Sequence, residues 1–201
     1  CKKIITRHRH ADVLLNGAGF GVYHPLAEQD MEELEQMMKT NFFGTVYFTK
    51  ELLPFLGPGS HIVNISSMAG KIAMANYSGY CATKWAVSGF TESIYHEFMR
   101  RGISVHLICP AGTKTHFFDN MSFGGHPHQL HYDRMMEPSK VAGMIVDAIN
   151  SNRFETIPTL YEKVIVFLRA NTPWLYHRLM QMRFARRQIE REGKENKKMV
   201  K

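Results

Sequence analysis

Tyr80 and Lys84 stand four residues apart in the stretch YCATK. Residues at that spacing share one face of a helix, so a phenol and an ammonium placed there meet in one environment. An unperturbed phenol ionises at about pH 10, too high for proton transfer near neutrality. A nearby ammonium favours the phenolate and lowers that value. The pair is therefore a candidate proton-transfer device, in which Tyr80 donates to a carbonyl or accepts from an alcohol. The alternative is a surface coincidence. What surrounds the pair decides between them.

The elements that must position it follow from hydrophobic patterning. ADVLLNGAG reads as a buried strand running into a turn at Gly17 and Gly19. The segment 26–56 is helical, interrupted near Asn41 to Gly44 and stopped by the Gly-Pro-Gly at 57–59. HIVNISS is a second strand, its β-branched Ile62, Val63 and Ile65 suited to a sheet buried on both faces. A helix from Ser78 to Arg101 carries the Tyr–Lys pair and ends at Gly102. ISVHLICP is a third strand, stopped by Pro110. Residues 111–137 lack periodicity and read as a long loop, a length that in a compact domain points to function or mobility. PSKVAGMIVDAIN is a helix, and RFETIP a last strand. Strands alternating with helices indicate a doubly wound, Rossmann-like α/β domain with a parallel sheet, over 1–158. An amphipathic, basic helical extension occupies 159–201, with Thr172 as an N-cap before Pro173. In such sheets ligands bind beyond the carboxyl ends of the strands. Ser66 and Ser67, at a strand end, and Tyr80, in the helix that follows, can both face that crevice.

Composition sets outer bounds. The chain has 201 residues, 44% hydrophobic and 21% charged, ordinary values for a globular domain. Cys1, Cys81 and Cys109 are odd in number and form no CxxC, which fits a reducing, cytoplasmic compartment rather than a disulfide scaffold. No stretch approaches the roughly 20 apolar residues of a membrane span. The net charge of +7 is partly local: from Met180 to Lys201 there are eight Lys or Arg against three Glu. No aromatic platform accompanies this charge, so a nucleic-acid partner is not expected.

Five features in order then carry a resemblance. They are NGAG at 16–19, Asn41 in TNFFG, NISS ending at Ser67, the YxxxK of Tyr80 and Lys84, and CPAGTKT at 109–115. In this the sequence resembles the short-chain dehydrogenases/reductases, with Ser67 preceding Tyr80 by the family's usual thirteen residues. That spacing favours Ser67 over Ser66 as the family's serine. The resemblance implies an alcohol–carbonyl oxidoreductase using NAD or NADP, with Tyr80 as general acid/base. It implies that Lys84 lowers the Tyr80 pKa and bonds the nicotinamide ribose. Ser67 would orient the substrate carbonyl, and Asn41 would hold a water linking Lys84 to solvent. Asn16, Ala18 and Gly19 would line the adenosine side, and Pro110, Thr113 and Thr115 the nicotinamide side. The resemblance also implies a homo-oligomer. A sugar-nucleotide epimerase shares YxxxK, and a catalytically silent fragment or scaffold is the reading from another class.

Three departures stand out. Gly17 replaces the second Asn of the usual NNAG, and Ala111 separates Pro110 from Gly112. The larger departure is that the opening strand and its TGxxxGxG loop have no counterpart here. The first strand in this sequence matches the family's fourth, so roughly 70 residues of a full-length domain are expected to precede it. An N-terminally truncated sheet would expose a hydrophobic edge.

Elsewhere, His126, His128 and His131 could suggest a metal, but no Cys or carboxylate cluster joins them and none is expected. Apolar stripes in the tail, Tyr161, Val164, Ile165 and Leu168, then Leu175, Leu179 and Met182, fit packing on the domain or a second subunit. Trp174 and Tyr176 among arginines fit peripheral membrane contact as the alternative. The resemblance implies a small carbonyl or alcohol as substrate, and the Met- and Phe-bearing loop hints that it is apolar.

Overall fold

A computed structural model describes residues 9–119, 121–123, 133 and 135–185. The chain divides into two compact units, Cys1–Pro158 and Thr159–Lys201.

In the first unit, four strands form one parallel sheet in the order β1-β2-β3-β4: Val13–Asn16, His61–Ile65, Ser104–Ile108 and Glu155–Thr156. Leu14 lies opposite Ile62 and Ile62 opposite Val105, which sets the register across the first three strands. Alternation along β2 sends Ile62 and Val63 to opposite faces, and both are fully buried. On one side Ile62 packs with Leu14, Val105, Leu52 and the helix residues Ile94 and Phe98. On the other, Val63 packs with Ile108, Met144 and Ala148. Covering both faces explains why β2 and β3 are largely apolar rather than strictly alternating.

Helix α1, Met31–Met38, starts where the Asp30 carboxylate accepts from the Glu32 amide. A π-helical turn, Lys39–Phe43, joins it to α2, Gly44–Leu52. This is the interruption expected near Asn41. Helix α3, Ser78–Phe98, runs through a short 3₁₀ tail to Gly102, whose φ of +66° suits glycine. Helix α4, Pro138–Asn150, opens on its proline. The last strand is shorter than RFETIP suggests, because only Glu155 and Thr156 pair with β3.

A polar thread pins these layers. The Asn16 amide donates to Thr49 Oγ1 at 3.1 Å and to Asn64 Oδ1 at 2.8 Å. Asn64 in turn donates to Thr91 Oγ1 at 3.0 Å. Each buried amide thus finds a partner on the next element, as burial requires.

The second unit contains α5, Leu160–Asn171, and α6, helical over 173–185. Thr172 does not cap α6 with its side chain as the sequence suggests. Its hydroxyl donates back to the Leu168 carbonyl at 3.0 Å, the local bond open to any threonine ending a helix. Among the described residues no helix is long and apolar enough to cross a membrane.

Candidate active site

The carboxyl ends of β1, β2 and β3 bring the site together. After β2 the chain passes through Ser66 and Ser67, and their hydroxyls part. Ser66 Oγ donates to the Lys84 carbonyl at 3.0 Å and contacts Ser88 Oγ at 2.9 Å, tying β2 to α3. Ser67 Oγ accepts from the Ala69 amide at 3.1 Å, capping the turn Met68–Gly70, and hydrogen-bonds the Tyr80 phenol. Of the two serines, Ser67 is therefore the one that reaches the tyrosine. Gly70 permits the turn after β2 to lie close against Ser66 and α3. A Cβ there would lie 2.3 Å from Ser66 Oγ and 2.6 Å from the Lys84 carbonyl oxygen.

Tyr80 and Lys84 sit on consecutive turns of α3 and both are buried. The Lys84 ammonium lies 5.9 Å from the centre of the Tyr80 ring and donates to the Ile65 carbonyl at 3.0 Å. Burial governs both groups. It pushes the Tyr80 phenol up to about 12, against the opposing bond from Ser67. It brings the Lys84 ammonium down to about 8. Burial of the phenolate is thus the largest influence on Tyr80 in this structure, and it acts against the lowering expected from Lys84.

Asn41 lies in the π-helical turn and is buried. Its Oδ1 accepts from the Phe20 amide at 3.0 Å, while its Nδ2 donates to the Phe20 carbonyl at 2.9 Å and to Thr83 Oγ1 at 3.0 Å. The side chain thus clamps the loop after β1 to α3. It also reaches Gly19, where a Cβ would come within 2.9 Å of Asn41 Oδ1 and 3.5 Å of Lys84 Nζ. Gly19, Asn41 and Lys84 are neighbours, as the motif order implies.

The remaining binding candidates divide. Gly17 and Ala18 are exposed at the end of β1. Asn16 is not available to line an adenosine through its side-chain N–H groups, which are spent on Thr49 and Asn64. Pro110 is buried after β3, its carbonyl accepting from the Met68 amide at 2.9 Å. Thr113 Oγ1 donates to the Ala111 carbonyl at 2.9 Å, and the exposed Thr115 hydroxyl accepts from the Phe117 amide at 3.3 Å. The three follow β3 at the same end of the sheet as Ser67.

Sequence reading missed an apolar wall beside Tyr80. Phe117 lies 5.6 Å from the Tyr80 ring and Tyr77 6.2 Å from it. The Tyr77 hydroxyl meets the Met121 sulfur at 3.9 Å. Gly21 makes room, since a Cβ there would lie 2.9 Å from both Met121 and Phe117. Gly21 was the signal available, as the closest contacts its missing side chain makes possible are with this wall. Burial, helped by the neighbouring phenols of Tyr23 and Tyr80, raises the Tyr77 phenol as well. His126, His128 and His131 lie outside the described residues. Among the described residues no cluster of three metal-ligating side chains occurs.

Comparison with known proteins agrees with the fold. Residues 1–123 match the short chain dehydrogenase family. The chain is 31% identical over 198 residues to dehydrogenase/reductase SDR family member 7B of Danio rerio, covering 94% of this chain and 63% of that protein. It is 37% identical over 108 residues to 3-ketodihydrosphingosine reductase of Dictyostelium discoideum, covering 52% and 32% respectively. The chain thus spans less than two thirds of these relatives' length. Its fold is similar to that of a short chain dehydrogenase/reductase from Burkholderia phymatum solved with NAD, at a TM-score of 0.74 and 22% identity over 87% of this chain and 70% of that one. A short chain dehydrogenase from Burkholderia cenocepacia solved with NADP also gives a TM-score of 0.74, at 20% identity over 89% and 72%. On the family match and the relatives together, this chain belongs to the short chain dehydrogenase family.

Proposed function

We propose that the protein is an NAD(P)-dependent oxidoreductase that interconverts an alcohol and a carbonyl, with Tyr80 as its general acid/base. The observation that carries this reading is the meeting of Ser67, Tyr80 and Lys84 at one strand end. There a hydroxyl hydrogen-bonds a buried phenol and an ammonium lies 5.9 Å from the same ring.

The residues present fit a dinucleotide. Gly17 and Ala18 are exposed at the end of β1, and Gly19 leaves a close approach beside Lys84 that a side chain would fill. An ammonium has three donors. Among the described residues one goes to Ile65, which leaves two for a hydroxyl-bearing ribose. Gly19, Lys84, Pro110, Thr113 and Thr115 would hold the group, Ala18 would line it, and Asn16 would contribute through the backbone only. Bound there, the cofactor supplies or accepts the hydride, and the protein supplies position and electrostatics.

The protein's own part is proton management. With its pKa at about 12, Tyr80 rests as the neutral phenol and is ready to donate to a carbonyl oxygen. Ser67 offers a second hydroxyl to the same oxygen and so orients it. The Lys84 ammonium, mostly protonated at neutral pH with a pKa of about 8, stabilises the phenolate left after donation. Asn41, by clamping Phe20 and Thr83, keeps the loop after β1 against the turn of α3 that carries Lys84. The resting protonation state favours carbonyl reduction over alcohol oxidation at neutral pH. Phe117, Tyr77 and Met121 beside Tyr80 favour an apolar carbonyl compound, a reading the Dictyostelium relative's name supports.

Titration of the purified protein with NADH and NADPH tests the reading, followed by turnover of apolar ketones with whichever binds. Trp85, beside Lys84, provides the signal through energy transfer to the reduced nicotinamide. Saturable transfer and ketone-dependent oxidation of the cofactor are expected. Absence of binding by both cofactors would overturn the proposal.

A further inference from the structure

The two units divide the charge unevenly. Residues 1–158 carry fourteen Lys and Arg against fourteen Asp and Glu, whereas 159–201 carry eleven against four. The whole net charge of +7 is therefore held by the smaller unit.

That unit also turns apolar side chains outward. Leu160, Tyr161, Val164 and Phe167 share one face of α5, and they are 76%, 59%, 47% and 64% exposed. Glu162 and Arg169, which solvent should claim, are only partly exposed on the same helix. A surface helix that packs for its own stability shows the opposite order. On α6, Trp174 is 69% exposed, and Arg178 lies one turn further along the same face. Arg183 donates to the Tyr161 hydroxyl at 2.9 Å, holding α6 to α5 and placing a guanidinium at the border of the apolar face. Lys163 is exposed on α5 as well.

We propose that the unit 159–201 docks on an anionic phospholipid surface. Leu160, Val164, Phe167 and Trp174 enter the boundary between headgroups and acyl chains, and Lys163, Arg178 and Arg183 meet the phosphates. Apolar side chains bordered by cations are what such an interface selects, with tyrosine and tryptophan at headgroup level. Charge decides against the other occupants. A second copy would bring +7 against +7, and a nucleic acid has no use for exposed leucine, valine and phenylalanine. The proposal is independent of the chemistry assigned to Tyr80.

Co-sedimentation with vesicles tests it. Phosphatidylcholine alone is compared with phosphatidylcholine in which phosphatidylserine replaces part of the lipid, at low and at high salt. Binding to the anionic vesicles is expected, weakened by salt, and lower by about five-fold for each basic residue neutralised in Lys163→Gln and Arg178→Gln. Phe167→Ser with Trp174→Ser should abolish it, while circular dichroism and turnover of a small soluble ketone stay unchanged. Absence of binding to anionic vesicles at low salt would overturn the proposal. So would binding that both sets of variants leave untouched. If the serine variants instead abolish a dimer seen by light scattering and leave vesicle binding intact, the face is a self-interface and the proposal falls.

Discussion

A phenol with a pKa of about 12 and an ammonium with one of about 8, in contact with the same small site, make opposite demands on pH. Alcohol oxidation needs the Tyr80 phenolate, so its rate should climb with pH through the alkaline range with no plateau below pH 10. Carbonyl reduction needs the phenol together with the Lys84 ammonium, so it should fall above about pH 8 as Lys84 loses its proton. Initial rates in both directions from pH 7 to 10 check this, and an oxidation plateau below pH 8 would show that charge, not burial, sets the phenol. Stability carries the same signature. Lys84 ionises at a lower pH folded than unfolded, where the ordinary value is 10.5. Below pH 8 both states are protonated and the full penalty of burying the charge is present; between 8 and 10.5 the folded state sheds its proton first and the penalty is relieved. Lys84→Met should therefore stabilise the fold at pH 7 by up to about 3 kcal/mol while turnover collapses. Tyr80 works the other way: from pH 10 to 12 the unfolded chain ionises first, and stability falls as pH rises. Urea denaturation at pH 7 checks the Lys84→Met variant, and no gain in its midpoint would mean the ammonium is better solvated than its burial indicates.

At the scale of elements, spacing in the sequence was a good guide wherever neighbours in the chain are neighbours in space. Tyr80 and Lys84 share a face because helices repeat, and the end of β2 falls beside Ser67 because a buried strand must be apolar and then stop. The interruption near Asn41 was legible from the pattern, since Asn and Gly weaken a helix. What could not be read was set by partners far along the chain. Asn16 gives its amide to Thr49 and Asn64, which are 33 and 48 residues away. Phe117 closes on Tyr80, and Met121 on Tyr77, from a loop whose residues show no periodicity. Spacing reveals the charge near Tyr80 but not the depth of burial that raises its phenol. One glycine joins these elements. Gly70→Ala would put a methyl carbon against Ser66 Oγ, Ser88 Oγ and the Lys84 backbone, at 2.3, 2.8 and 2.6 Å. Because backbone cannot swing aside, the substitution should cost about 1–3 kcal/mol and shift α3 away from β2. Urea unfolding reads the first effect, and a loss of turnover larger than the loss of folded protein reads the second.

The molecule as a whole separates its tasks. A neutral α/β unit, 1–158, carries the candidate site at one end of a parallel sheet, and a basic unit, 159–201, that contains α5 and α6 follows it. β1 is an edge of that sheet among the described residues, with Val13 and Leu15 about half exposed on it. The fold class and the family were both within reach of the sequence, since five short motifs keep their order from 16 to 115. The claim on which the functional account rests is that Tyr80, and not its neighbour, delivers the proton. Tyr77 is the natural control, a half-buried phenol 6.2 Å away on the turn before. The most direct measurement is ketone reduction by Tyr80→Phe and Tyr77→Phe side by side with the parent protein, after cofactor binding has been checked in each. The account predicts that Tyr80→Phe binds the cofactor and loses turnover by about 10²–10⁴-fold, while Tyr77→Phe keeps most of it. Turnover retained in Tyr80→Phe, or lost equally in both, would contradict it.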